Sequence, residues 1–250
     1  MYGKRLRGLA LTTAALLTLT LLAVFFWAPN DRTEGFLQKI FYVHVPMAII
    51  TLSGFIAGGV LAIQHLRTGE SRWDLRSYVA IHISLVFGVG VLVTGSIWAK
   101  AAWGHWWVWS EPTLVSFLLV MLLYATYQPL RFAIEDPERQ ARAASVFAIV
   151  AGVFVPICFT IVRLSTAYVH PRTLDNISGN LPGRMQLVFW MAIGSVFLLW
   201  LLLWRYEMAS KHTSAQLRRL RQLLSEDDEA LPPLRRSAAP TVEHAGIAGR

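Results

Sequence analysis

Six stretches of this chain carry no Lys, Arg, Asp or Glu: Gly8 to Asn30, Ile40 to Leu66, Ser77 to Ala99, Pro112 to Leu130, Ala143 to Val162 and Met185 to Trp204. Each is close to the roughly 20 residues that a helix, rising about 1.5 Å per residue, needs to cross about 30 Å of hydrocarbon. A soluble domain would bring about a quarter charged residues, whereas this chain has 15% charged and 55% hydrophobic side chains. Barrel strands would alternate in segments of about 10 residues, a pattern absent here. The reading is an all-α polytopic membrane protein, with six transmembrane helices over about 9–28, 41–64, 78–99, 112–130, 144–162 and 185–204. Residues 1–206 would then form one membrane domain, and 207–250 a basic tail that begins as a short surface helix and ends disordered.

Lys4, Arg5 and Arg7 precede the first run as they would a signal peptide. That run is long for an h-region and ends in Phe25-Phe26-Trp27-Ala28-Pro29 without a small-x-small cleavage site, so it reads as a retained anchor. With a cytoplasmic N-terminus, nine Lys and Arg outside the tail fall on the cytoplasmic side against six on the other, and the tail adds eight more. The positive-inside bias therefore places both termini in the cytoplasm. The net charge of +8 follows from this topology and from attraction to anionic inner-leaflet lipid of the bilayer, with no nucleic acid required. Cys158 is the sole cysteine and lies inside the fifth run, which rules out an internal disulfide, a CxxC pair and a CxxCH haem-attachment site. No Asp, Glu, Lys or Arg sits within a span core, unlike ion pumps and proton-coupled transporters. Gly54, Gly58, Gly59, Gly88, Gly90 and Gly95 read as small-residue surfaces for close helix packing.

The second external connection is the informative one. Five of the ten tryptophans fall in the segment Trp98-Ala-Lys-Ala-Ala-Trp103-Gly104-His105-Trp106-Trp107-Val108-Trp109. An interfacial aromatic belt accounts for one or two of them. Five together, with Trp103, Trp106 and Trp107 on one face if this stretch is helical, suggest a flat aromatic platform for a large planar ligand. Two histidines lie at similar depth: His44 in Phe41-Tyr42-Val43-His44-Val45-Pro46, in the first turn of the second span, and His170 in Ala167-Tyr168-Val169-His170-Pro171, in the third external connection. Either alone reads more readily as a satisfied polar residue at a membrane rim than as a ligand. As a pair flanking a tryptophan shelf they match the two neutral imidazoles of six-coordinate haem iron, and without CxxCH such haem b would be held non-covalently. Arg172, Arg184, Lys100, Lys39 and Arg32 lie on the same side as candidate partners for haem propionates. His105 is a lesser candidate ligand, because it lies within the shelf. His65 and His82, at the cytoplasmic ends of their spans, are expected to face water.

Trp103-Gly104-x-x-Trp107-x-Trp109, the preceding Val93-Thr94-Gly95-Ser96-Ile97-Trp98, the block around His44 and the late His170 together resemble the CcmC family, the haem-handling membrane proteins of cytochrome c maturation. The resemblance covers the six spans in order. It implies haem bound at the external, periplasmic face of the cell's inner membrane, with His44 and His170 as axial ligands and Trp98, Trp103, Gly104, Trp106, Trp107 and Trp109 as the platform. It further implies presentation of that haem to the chaperone CcmE, and work beside the ATP-binding-cassette subunits CcmA and CcmB and the small protein CcmD. Delivery rather than catalysis is the expected role. The alternatives are a haem lyase of the single-protein ligation pathway, which normally has further spans and a large external domain, and a haem-permeation channel, which would want a polar path. The family's motif usually closes with aspartate where Ser110 stands here. Ser110-Glu111-Pro112 reads as a helix start, with Ser110 as cap and Glu111 in the first turn. Ser110 and Glu111 are also candidate propionate or chaperone contacts, although a helical neighbour would point about 100° away from the aspartate's direction.

Overall fold

The structure is a computed structural model and describes residues 2–165, 169–170, 181 and 183–230, apart from the side chains of 2–4, 163 and 226–230. Its elements are α1 (Tyr2–Leu22), extended by a π turn over Ala23–Trp27, a 3-10 turn over Phe36–Ile40, α2 (Phe41–Thr68), α3 (Ser71–Trp103), α4 (Pro112–Ala125), α5 (Tyr127–Phe132), α6 (Pro137–Leu164) and α7 (Gly183–Ala230). Among the described residues, six helical stretches are long and apolar enough to cross a membrane. The chain is thus an all-α integral membrane protein, with helices that overrun the expected spans at several ends.

Local chemistry sets those ends. Gly69 and Gly104 adopt positive φ of 71° and 78°, and their amides donate to His65 O (2.8 Å) and Lys100 O (3.1 Å), closing α2 and α3 in left-handed turns that only glycine adopts without strain. Pro112 and Pro137 open α4 and α6, where no amide donor is needed. Asp136 caps α6 by accepting from Arg139 N at 2.7 Å. The fourth span breaks at Thr126 into α4 and α5. Pro129 supplies no amide for the carbonyl four residues back, which accounts for the interruption. The π turn closes through Ala28 N to Ala23 O (2.8 Å). Beyond it, Lys39 is 5% exposed and donates through Nζ to Ala28 O at 2.5 Å and Pro29 O at 3.4 Å. This cation is consumed by helix-end carbonyls, so the expectation that Lys39 would be available to propionates does not hold.

The helix α2 packs against α3 and α6, and α4 against α6. Their core centres on Phe55, Ile81 and Tyr124. The Phe55 and Tyr124 rings stack with centroids 3.8 Å apart, and Tyr124 OH donates to Phe55 O at 3.3 Å. Close approach depends on the glycines: a β-carbon at Gly58 would lie 2.6 Å from Ile81 Cγ1, and one at Gly59 would lie 3.0 Å from Ala148 O. The expected small-residue surfaces are therefore real contacts. A second cluster joins α1 to α7 through Val24, Ala28, Val188, Phe189 and Ala192 with Tyr42, and a 2.6 Å hydrogen bond links Thr20 and Ser195 hydroxyls. Trp200 Nε1 of α7 donates to Ser84 Oγ at 3.1 Å. Large aliphatic side chains such as Val60, Val89, Leu119, Val150 and Val153 are exposed on the outside of these helices. Such surfaces are stable against hydrocarbon, where backbone groups satisfied within helices cost nothing.

At the end of α3 opposite the tryptophans, Arg131 forms a buried bidentate pair with Asp74, Nη1 to Oδ1 at 2.7 Å and Nη2 to Oδ2 at 2.6 Å. Tyr127 OH accepts from Arg131 Nη1 at 3.5 Å, and the guanidinium lies 5.0 Å from the Tyr78 ring centroid. This group sits at span ends, leaving the mid-membrane core of the described residues without ionisable pairs. His65 departs from expectation: it is buried, with Nδ1 3.1 Å from Glu70 O, because the turn closed by Gly69 folds back over it. His82 pairs with Gln128 Nε2 at 2.7 Å. A second unit begins at Ala209. It is helical to Ala230, with Leu217, Leu220 and Leu224 exposed. The remainder of the tail lies outside the described residues.

Candidate haem-binding site

His44 sits in the first turn of α2, two residues before the buried Pro46, and its Nδ1 lies 3.0 Å from Thr94 Oγ1 on α3. Thr94 Oγ1 already donates its one proton within α3, to Gly90 O at 2.8 Å, with Val91 O at 3.2 Å. The oxygen therefore accepts from His44, which places the imidazole proton on Nδ1 and leaves the Nε2 lone pair for a metal. Gly95 stands opposite the ring. A β-carbon there would lie 2.8 Å from His44 Cε1 and 3.6 Å from Nε2, so the absence of a side chain makes room for the imidazole.

His170 approaches from the third connection. Its ring lies edge-on to Trp98 and Trp103, with centroids 6.4 and 6.3 Å away, and those two indoles meet each other at 5.0 Å and 67°. His44, His170, Trp98, Trp103 and Trp107 all line one cavity of about 400 Å³ that continues between α2, α4 and α6 past Leu52, Phe117 and Phe159. Its wall is mostly apolar, as expected of a pocket for a large planar ligand. One donor stands out: Trp107 Nε1 is buried with no hydrogen-bond partner among the described residues. An orphaned N–H at a cavity wall suits a ligand acceptor.

Fewer tryptophans line the cavity than the sequence suggested. The helix α3 ends at Trp103, and residues 104–111 are not helical, so Trp103, Trp106 and Trp107 do not share a helix face. Trp98, Trp103 and Trp107 line the cavity, whereas Trp106 and Trp109 are 59% and 74% exposed and lie outside its wall. Trp109 instead meets Trp107 with centroids 6.0 Å apart. Gly104 ends the helix and lines nothing. His105 is exposed and does not reach the cavity.

The cations are spread out. Lys100 is exposed and donates through Nζ to Gly104 O at 2.9 Å, and the Arg184 guanidinium lies 5.9 Å from the Trp27 ring centroid. Arg172 lies outside the described residues. Ser110 is an exposed turn residue and does not cap α4. The cap is Glu111, whose Oε1 accepts from Thr113 N at 3.5 Å with Pro112 as the first helical residue. Glu111 is 0% exposed, and its Oε2 accepts from Val169 N at 3.1 Å and His170 N at 3.3 Å. Burial alone would push this carboxyl up; the amides of Val169, His170 and Thr113 outweigh it and hold the carboxyl below the usual range. Residue 111 precedes the helix, with extended backbone at φ −86°, ψ 111°, so the 100° offset of a helical neighbour does not apply to Glu111. Glu111 is the residue whose position sequence reasoning missed. The only signal was its place immediately before Pro112. Thr94 and Gly95 stood in a recognised motif, but their contacts with His44 required the pairing of α2 and α3.

Comparison with known proteins gives the family. The family model described as Heme exporter protein C (CcmC) matches residues 1–223. The Heme exporter protein C of Paracoccus denitrificans (strain Pd 1222) is 30% identical over 222 residues, which is 87% of this chain and 89% of that protein. The proteins of the same name from Bradyrhizobium diazoefficiens and Escherichia coli K12 are 35% identical over 163 residues and 34% identical over 149, in each case 60% of this chain and 60% of the relative's length. A match of this extent, on a six-span helical fold with the tryptophan motif and both histidines facing one cavity, makes the chain a member of the CcmC family.

Proposed function

We propose that this protein takes part in haem handling for cytochrome c maturation, binding haem b non-covalently between His44 and His170 and presenting it to a chaperone of the CcmE type. The reading rests on a single observation: two imidazoles carried by different elements face one apolar cavity walled by Trp98, Trp103 and Trp107. Haem is the cargo, and its iron supplies the two axial positions that a pair of neutral imidazoles can fill. The residues divide the remaining work. Thr94 keeps the His44 proton on Nδ1, and Trp98 and Trp103 pack at the edge of His170. The aliphatic wall excludes water from the centre. Lys100, Arg184 and Arg172 are the cations assigned to the propionates, with Trp107 Nε1 as a further donor. His44 is fixed in a helix, while His170 lies in a connection, so His170 is the ligand that an incoming chaperone residue displaces.

The topology assigned from charge places both termini in the cytoplasm and the site on the periplasmic side of the inner membrane. CcmA, CcmB and CcmD are the partners that the family implies, and the role is delivery rather than catalysis. The test is spectroscopic. Protein purified from haem-replete membranes should show a low-spin haem spectrum, and His44→Ala and His170→Ala should each abolish it. Retention of the spectrum in both variants overturns the bis-histidine assignment.

A further inference from the structure

We propose that Glu111 is the positioning residue for His170: its buried carboxylate grips the backbone amides of Val169 and His170 and so fixes where that imidazole stands at the cavity. The inference rests on the haem reading for its functional meaning, but its structural half can be tested without haem.

The geometry is specific. One carboxylate oxygen, Oε2, accepts from two successive amides, Val169 N at 3.1 Å and His170 N at 3.3 Å, while the other, Oε1, faces Thr113 N in the first turn of α4. A single side chain thereby ties the start of α4 to a connection 58 and 59 residues further along the chain. Hydrogen bonds to an ionised acceptor are about twice as strong as neutral ones, and Glu111 is completely buried, so water does not compete for them. Ser110, one residue earlier, is exposed, and its side chain is too short to replace a glutamate that spans from a helix start to a neighbouring connection. His44 needs no such device, because α2 holds its backbone and Thr94 its ring. The two ligands are therefore held by different means: His44 by its helix and the Thr94 hydroxyl, and the His170 backbone with the Glu111 carboxylate as an acceptor for its amide. The strength of the second grip governs how readily His170 leaves the iron for an incoming ligand.

The experiment compares wild type with Glu111→Gln and Glu111→Ser. Gln keeps the shape but removes the charge. Ser keeps a good helix cap but cannot reach the connection, which separates loss of capping from loss of the grip. In haem-free protein, hydrogen exchange of the peptide containing residues 169 and 170 should rise on the order of tenfold in both variants, the size expected for weakened hydrogen bonds to a charged acceptor. Exchange at the start of α4 should stay near wild type in Glu111→Ser. In haem-loaded protein, both variants should shift part of the spectrum from low to high spin, and apomyoglobin should strip haem about tenfold faster. Unchanged exchange at 169–170 overturns the grip whatever haem does. Raised exchange with a fully low-spin spectrum and a wild-type stripping rate overturns the positioning role. Absence of haem from the wild type itself refutes the proposed function and leaves the exchange result to decide the grip.

Discussion

Replacing Gly95 by alanine separates ligand binding from stability. The added β-carbon would sit 2.8 Å from His44 Cε1, and since ordinary contact begins at 3.4 Å, the ring must retreat by roughly 0.6 Å. The retreat strains the 3.0 Å bond from Nδ1 to Thr94 Oγ1, worth about 1 kcal/mol, and refilling the space when ligand returns costs a further ~1 kcal/mol or more, as overpacking does. In ligand-free protein the imidazole can swing into the cavity and escape the clash. The helix meanwhile gains about 0.5–1 kcal/mol from exchanging glycine for alanine. That gain offsets the loss of the Thr94 bond, so Gly95→Ala should stay near wild type in the thermal midpoint of haem-free protein in detergent. It should also raise the haem dissociation constant by roughly fivefold, the equivalent of the ~1 kcal/mol of overpacking, since the Thr94 bond is lost without ligand too. Titrating haem into the purified variant and following the low-spin band measures this directly. A dissociation constant within twofold of wild type would refute the placement of His44 against Gly95. A fall in the haem-free midpoint would show instead that the position is a packing residue first.

Two other outcomes follow from the same structure. Trp103→Ala should weaken haem binding and broaden the spectrum, because its indole lines the cavity and packs at His170, whereas Trp106→Ala should leave both unchanged, since that ring is 59% exposed outside the wall; equal losses in the two would restore the larger platform. Asp74→Asn leaves the buried Arg131 guanidinium without its carboxylate, a loss of about 3–5 kcal/mol. It should lower the thermal midpoint markedly, while Asp74→Leu combined with Arg131→Met recovers most of it, and a single variant as stable as wild type would mean the pair is solvated.

The length and apolarity of six uncharged runs were enough to establish an all-α membrane protein, because the thickness of hydrocarbon leaves a chain of this kind no other way to satisfy its backbone. The helix start at Pro112 was also within reach of local chemistry, since it depends on one residue's missing donor. His44, His170 and the tryptophan segment were legible as residue types at one membrane face. What sequence could not supply was selection among neighbours. A spacing of three or four residues predicted a shared tryptophan face, but Gly104 ends the helix before Trp106, and only three of the five rings turn to the cavity. Lys39 looked like a free cation and proved to be committed to the end of the first span. Thr94 gains its meaning from a proton already spent within its own helix, and Gly95 from a ring 50 residues away in sequence from Thr94, its neighbour. Glu111 does so from two amides in the connection after α6. The contacts of His44 with Thr94 and Gly95 and of Glu111 with residues 169 and 170 join segments at least 50 residues apart, where packing decides which groups meet, and no local propensity encodes them.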